Sequence, residues 1–104
     1  MTEAGARVLV VDDEPNIREL LSVSLKFQDF DVQPTADGPA ALDLARSFRP
    51  DALILDVMMP GMDGFGLLRR LRADGVDAPA LFLTAKGSVA DKVNGLTAGG
   101  DDYV

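Results

Sequence analysis

Acidic side chains follow two apolar runs of the chain, at the points where strands would end. Asp12 and Asp13 follow the first run, Asp56 follows a later one, and Thr84 ends a third. The first two runs are almost continuously apolar, which is typical of strands buried on both faces of a parallel sheet. Ligands bind outside the carboxyl ends of such strands, so we expect these polar side chains to share one site.

The chemistry of such a site follows from its carboxylates. Two like charges about 4 Å apart repel by roughly 1 kcal/mol in water and by about 4 kcal/mol at an effective dielectric constant of 20. A cation relieves this repulsion, and oxygen donors without His or Cys select Mg²⁺, Mn²⁺ or Ca²⁺ over zinc. Mg²⁺ keeps water or phosphate oxygens in its remaining positions. A carboxylate facing that open position can attack phosphorus and form an aspartyl phosphate.

Each of these residues also has an ordinary structural interpretation. A pair such as Asp12-Asp13 after a strand is commonly a helix cap or a turn, and so is a single strand-end aspartate such as Asp56. Thr84, taken alone, is an ordinary β-branched strand residue. Their joint placement at the ends of successive strands favours a binding site over three unrelated caps.

Strands and helices alternate along the whole chain. Apolar runs and helical periodicity predict strands at Arg7–Val11, Phe30–Thr35, Ala52–Leu55, Ala78–Thr84 and from Asp101 onward. They predict helices at about 15–27, from the Asp37-Gly38-Pro39 start, at about 65–73, and from a Ser88 cap through Leu96. Such alternation implies an α/β fold, a doubly wound parallel sheet of five strands with helices on both faces.

The apolar faces of the first two helices can also be predicted. On the first helix one face carries Ile17, Leu20, Leu21, Ser24 and Gln28, widened by Leu25. On the second helix the residues expected to face inward are Ala41, Leu44, Ala45 and Phe48. The strand beginning at Phe30 alternates apolar and polar residues, so we expect it to be less buried than its neighbours.

Composition excludes several classes of function. The chain has 104 residues, enough for one domain, and its net charge of −7 repels nucleic acid. It contains no Cys and no His, which excludes disulfides, imidazole metal sites and a Ser-His-Asp triad. The longest uncharged, mostly apolar run, Ala78–Ala85, is far shorter than the roughly 18–20 residues of a membrane span. Glu3 and Gly5 stand where the apolar part of a signal peptide would begin, so a cytoplasmic location is expected.

Four segments resemble the receiver domain of two-component response regulators: VLVVDDE, LILDVMMPGMDGFGLLRRLR, ALFLTA and GGDDYV. The resemblance runs over residues 7–104, after an N-terminal tail of residues 1–6. It is of the OmpR/PhoB type, and LLSVSLKFQ and RADGVDAPALFLTA are most similar to actinobacterial PhoP-like regulators. It implies a flavodoxin/CheY-like fold with strand order 2-1-3-4-5. It also implies a last helix and a C-terminal winged-helix DNA-binding domain, both absent from this sequence.

The resemblance assigns roles to the acidic residues. Asp56 is the expected phosphoacceptor, which attacks a phosphohistidine on a partner sensor histidine kinase. Asp13 is expected to bind Mg²⁺ directly, with Mn²⁺ as a possible substitute, and Asp12 to join through water or shape the pocket. Met58 is expected to supply its backbone carbonyl to the metal.

The resemblance further implies a switch. Thr84 would hydrogen-bond a phosphoryl oxygen, and Tyr103 would turn inward when Thr84 moves. Activation would form a homodimer, and DNA would be bound only through the output domain. The family's phosphate-binding Lys would fall two residues beyond Val104, so we expect the sequence to be a piece of a longer chain; Lys86 is expected to point to solvent.

Three classes of function therefore compete. The first is a phosphorylation-dependent switch that catalyses its own phosphotransfer and autodephosphorylation but is not a turnover enzyme. The second is a pseudo-receiver that binds partners without being phosphorylated. The third is a phosphohydrolase of the haloacid-dehalogenase kind, which requires Asp-x-Asp at the nucleophile, whereas Met58 occupies the place of its second acid.

Overall fold

The computed structural model describes residues 5–59 and 61–83, and the backbone of residues 102–103. The elements in chain order are β1 Arg7–Val11, α1 Pro15–Phe27, β2 Asp31–Thr35, α2 Gly38–Phe48, β3 Ala52–Asp56, α3 Gly64–Ala73, β4 Ala80–Leu83 and β5 Asp102–Tyr103. These bounds confirm the expected elements to within two residues. The helix expected from Ser88 to Leu96 lies outside the described residues. Within the part described, no helix has the length and apolar character needed to cross a membrane.

All strand pairs are parallel, and the five strands lie in the order β2-β1-β3-β4-β5. This confirms the doubly wound α/β fold and its strand order. In the register of the sheet, Val11 is paired with Thr35 on one side and with Leu55 on the other. The carboxyl ends of β1 and β3 therefore lie side by side, and the residues that follow them meet at one edge of the sheet.

Alternate side chains of the buried strands enter two separate apolar clusters. One contains Leu9, Leu55 and Phe82 and is covered by α2 and α3, with Leu68 and Leu71 fully buried. The other contains Val8, Val10, Val32 and Ile54 and is covered in part by Leu21 and Leu25 of α1. The inward face expected for the second helix is confirmed, since its four apolar residues all belong to or pack against the first cluster.

Acidic side chains cap the described helices, which accounts for two of the aspartates away from the predicted site. The Asp37 carboxylate accepts a hydrogen bond of 2.8 Å from the backbone N–H of Ala40 at the start of α2. Asp63 accepts one of 2.7 Å from Gly66 at the start of α3. At the start of α1 the cap is Glu14, which leaves Asp13 free of that role.

The face expected for α1 is wrong in part. Leu21 and Leu25 pack on the sheet as expected, but Leu20 is 62 % exposed, Ile17 is 38 % exposed, and Ser24 and Gln28 are exposed too. Apolar residues occupy more than half of the circumference of this helix, so periodicity alone does not determine its rotation about its axis. Val23 and Phe27 are also exposed, and the outer side of α1 is therefore unusually apolar.

An apolar groove of about 280 Å³ lies beside α1 on the same face of the sheet. Its walls include Leu25 and Phe30 on one side, and Ile54, Pro79 and Leu81 on the other. On the opposite face, Leu53, Leu55 and Phe82 are at most 1 % exposed. Among the described residues, the strands are thus less completely covered on the α1 face.

Ser22 allows a test of the packing of α1. It is 7 % exposed, and its hydroxyl has no hydrogen-bond partner among the described residues. Ser22→Ala removes a buried polar group without a partner and introduces a better helix former. We expect the free energy of unfolding to rise by about 1 kcal/mol, measured by urea denaturation. A decrease would show that the hydroxyl has a stabilising partner.

Candidate functional site

Three carboxylates meet at the carboxyl edge of the sheet. Asp12 and Asp13 follow β1, and Asp56 is the last residue of β3. One carboxylate oxygen from each lies within 4.8 Å of the other two. The parallel pairing of β1 with β3 brings these residues together although they are far apart in sequence, as the strand-end argument predicted.

Hydrogen bonds hold the carboxylate, the backbone N–H and the backbone carbonyl of Asp12. Its side chain is buried, with the residue 4 % exposed, and its Oδ1 accepts a hydrogen bond of 2.8 Å from the backbone N–H of Glu14. Its own N–H donates to the carbonyl of Thr35 at 3.1 Å, and its carbonyl accepts from Nη1 of Arg18 at 2.9 Å. Asp12 is therefore firmly held in the site, whereas Asp13 is exposed.

Asp56 is positioned by the loop that follows it. Its Oδ1 accepts a hydrogen bond of 3.1 Å from the backbone N–H of Met58. The N–H of Gly64 donates to the carbonyl of Val57 at 3.1 Å, which closes the loop against the start of α3. A Cβ at Gly64 would overlap the Asp56 carbonyl oxygen, so this close approach requires glycine.

The environment of Asp56 raises its pKa from 3.8 to about 7. Removal from water by burial is the largest cause, and the negative charge of Asp12 is the largest of the other causes that raise the pKa. A side-chain hydrogen bond with Asp13 and the charge of Asp13 raise the pKa further, while the N–H of Met58 lowers it. Near neutral pH and without a cation, the Asp56 carboxyl is therefore partly protonated.

These properties fit a hard divalent cation. The donors are carboxylate oxygens, which Mg²⁺ and Mn²⁺ prefer, and neither His nor Cys is present to favour a softer metal. Burial and the charges of Asp12 and Asp13 all raise the pKa of Asp56, and a cation at the cluster would offset these effects. Asp12, Asp13 and Asp56 are the residues that could hold the ion, and Met58 follows Asp56 by two positions in the chain.

The raised pKa predicts how stability depends on pH without metal. Between pH about 4 and 7, folded Asp56 retains a proton that the unfolded chain has released, so raising the pH through this range lowers the free energy of unfolding. Asp56→Asn removes this contribution. We expect urea denaturation in a chelator to show a steeper loss of stability from pH 4 to 7 in the wild type than in the variant. Equal slopes would contradict the raised pKa.

The structure brings together some of the predicted site residues. Asp12, Asp13 and Asp56 form the cluster, and Met58 adjoins it, with its residue 56 % exposed. Thr84 lies outside the described residues. Tyr103 is described only by its backbone, which lies in β5 and pairs with Phe82 of β4. The inward rotation of its side chain stays a prediction.

Sequence reasoning missed the contacts that hold Asp12. Arg18 follows Asp12 by six residues and lies on α1, where it was assigned no role. Its contact with Asp12 depends on the rotation of α1 about its axis, which the sequence pattern did not determine. The hydrogen bond from Glu14 could have been anticipated from the tendency of aspartate to accept from the N–H two residues on.

Comparison with known proteins agrees with this geometry. The profile described as "Response regulator receiver domain" matches residues 8–104. The chain belongs to the response regulator receiver domain family. It is 53 % identical over 100 residues to "Response regulator MprA" of Mycobacterium bovis, covering 96 % of this chain and 44 % of that protein. It is 48 % identical over 97 residues to "Probable transcriptional regulatory protein TcrX" of Mycobacterium tuberculosis, covering 93 % and 42 %.

Solved receiver domains share the fold. The chemotaxis protein CheY4 of Vibrio cholerae superposes with a TM-score of 0.93 at 36 % identity, covering 97 % of this chain and 86 % of that one. The expected likeness to actinobacterial response regulators is confirmed, because both curated relatives are mycobacterial. Neither the pseudo-receiver nor the phosphohydrolase is favoured by these matches. The receiver domain spans less than half the length of the two curated relatives.

Proposed function

We propose that this receiver domain accepts a phosphoryl group on Asp56 from the phosphohistidine of a sensor histidine kinase and thereby switches a transcriptional output. The observation that carries the proposal is the carboxylate cluster, with its oxygens within 4.8 Å of one another at the carboxyl edge of the sheet. Membership of the receiver family supports it. So does the name of TcrX, which describes that protein as a probable transcriptional regulator.

The residues divide the chemistry among them. An oxygen of ionised Asp56 attacks phosphorus, the P–N bond to the donor histidine breaks, and that histidine keeps the electron pair. The N–H of Met58 holds Oδ1 of Asp56 and so fixes the plane of the nucleophile. Asp13, Asp56 and the Met58 carbonyl would hold Mg²⁺ directly, and Asp12 would do so through water. When bound, Mg²⁺ supplies charge stabilisation to the phosphoryl oxygens.

The finer assignments of the switch belong to the same proposal. Thr84 would donate a hydrogen bond to a phosphoryl oxygen, and Tyr103 would follow its movement inward. Hydrolysis of the aspartyl phosphate by water would reset the domain, so the chain would catalyse its own phosphorylation and dephosphorylation without turning over a separate substrate. Phosphorylation would promote a homodimer.

The complete protein would carry the output. We propose that a C-terminal winged-helix DNA-binding domain follows the receiver. We also propose that the protein is located in the cytoplasm, where a kinase and DNA are both accessible. A helix following β5 would return over the α1 face by the right-handed crossover rule and fill the apolar groove beside Leu25 and Ile54.

A beryllofluoride titration distinguishes this switch from a pseudo-receiver. With Mg²⁺ present, we expect a protein-bound ¹⁹F NMR signal in the wild type, because the anion mimics a phosphoryl group on the Asp56 carboxylate. The signal should be absent without Mg²⁺ and absent in Asp56→Asn. The Asp43→Asn variant, which changes an exposed surface carboxylate, should retain it. Failure of the wild type to bind beryllofluoride with Mg²⁺ would favour the pseudo-receiver.

A further inference from the structure

Arg18 provides a positive charge beside the acidic cluster that the proposed chemistry does not use. It is half-buried on the side of α1 that meets the sheet, four residues before buried Ser22. Its Nη1 donates a hydrogen bond of 2.9 Å to the backbone carbonyl of Asp12. Among residues 5–59 and 61–83 its guanidinium forms no ion pair. Among the described residues, the hydrogen bond shown for the guanidinium of Arg18 is therefore to the backbone carbonyl of Asp12.

That carbonyl belongs to the peptide group joining Asp12 to Asp13. The side chain of Asp12 is fixed separately, by the hydrogen bond from the N–H of Glu14 at 2.8 Å. Rotation of the peptide group would swing Asp13, whose exposed carboxylate is not enclosed by packing. The hydrogen bond from Arg18 opposes this rotation and links the peptide group before Asp13 to the body of α1.

Arg18 can affect cation binding in two ways of opposite sign. Its positive charge repels a divalent cation at the cluster, so charge alone predicts that removing Arg18 tightens binding. Its hydrogen bond orients a carboxylate ligand, and Mg²⁺ requires near-ideal octahedral geometry, so orientation predicts that removing Arg18 weakens binding. Partners that orient metal ligands typically contribute 10- to 100-fold in affinity.

We infer that Arg18 is a positioning residue for Asp13, and that orientation outweighs charge. The guanidinium donates directly to the carbonyl of the peptide group between Asp12 and Asp13, whereas water next to exposed Asp13 weakens the effect of its charge on the cation. This inference rests on the proposed function, because it concerns the cation that phosphorylation of Asp56 would require. Arg18 lies outside the carboxylate cluster, so its role would make the first part of α1 a component of the metal site.

The test compares Mg²⁺ affinity in the full-length protein that carries this domain. Arg18→Met keeps the aliphatic stem but removes the hydrogen bond and the charge, and we expect its Mg²⁺ dissociation constant to rise about tenfold. Arg18→Lys keeps the charge and a donor, and should recover part of the affinity. Arg69→Met removes a positive charge from an exposed position on α3 and should change the affinity less than twofold. The titration follows the backbone amide NMR signals of Asp13 and Met58.

The outcomes are separable. A wild type that does not bind Mg²⁺ contradicts the proposed function itself. A wild type that binds, together with an Arg18→Met variant of equal or higher affinity, overturns only the role of Arg18. If Arg18→Met does not fold, NMR of the guanidinium of Arg18 in the wild type replaces the variant as the test. Its Nη signals should show restricted rotation and should respond to Mg²⁺, unlike those of Arg69. Free rotation at Arg18 would overturn the inference.

Discussion

Asp56→Asn is expected to abolish phosphorylation by a small acyl-phosphate donor. The substitution keeps the shape of the side chain but replaces the anionic oxygen that would attack phosphorus. It also removes the group whose pKa the cluster raises to about 7, so the fold should be retained. Intact-mass spectrometry after incubation with Mg²⁺ and the donor should show a phosphorylated wild type and an unmodified variant.

Asp43→Asn is the matched control for this experiment. Asp43 is an exposed residue of α2 whose side chain is 82 % accessible, and its Oδ1 lies 3.6 Å from Nη1 of Arg46 one turn away. Its loss changes the net charge by the same amount as Asp56→Asn and should leave phosphorylation unchanged. Acid-labile phosphate on the Asp56→Asn protein would show that another residue is the acceptor.

Asp13→Ala is expected to abolish Mg²⁺ binding at millimolar concentrations while leaving the fold intact. Asp13 is the exposed member of the cluster, so its removal creates no cavity. It relieves repulsion with Asp12 and Asp56, and the stability without metal should be unchanged or higher by up to about 1 kcal/mol. An NMR titration of Mg²⁺ that follows the amide of Met58 measures the affinity.

Two results would contradict the role of Asp13. One is a Mg²⁺ affinity equal to that of the wild type, which would place the ligands elsewhere. The other is a variant that unfolds, which would make Asp13 a structural residue. Asp12→Ala provides the contrast, because Asp12 is buried and accepts the hydrogen bond from Glu14. We expect that variant to lose stability as well as Mg²⁺ affinity.

The parts of the fold predicted from sequence are those determined by local pattern. The apolar run before Asp12 and the one before Asp56 indicate strands buried on both faces, and both are buried in the structure. Because parallel strands end at the same edge, the strand-end argument also predicted that these carboxylates meet. The capping role of Asp37 likewise follows from its place before Gly38-Pro39.

What sequence could not provide depends on contacts between elements. The rotation of α1 was predicted incorrectly because Leu20 and Leu21 are equally apolar, and only packing on the sheet distinguishes them. The hydrogen bond from Arg18 to Asp12 depends on that same rotation, so it could not be predicted either. The raised pKa of Asp56 depends on burial and on charges brought near by β1, neither of which has a local signature.

The most direct test of the account locates the phosphoryl group itself. The full-length protein is incubated with an acyl-phosphate donor and Mg²⁺, the aspartyl phosphate is reduced with borohydride to homoserine, and the peptides are mapped by mass spectrometry. We predict homoserine at position 56, dependent on Mg²⁺ and found at no other aspartate. Homoserine at another position, or none under conditions where Mg²⁺ is bound, would contradict it.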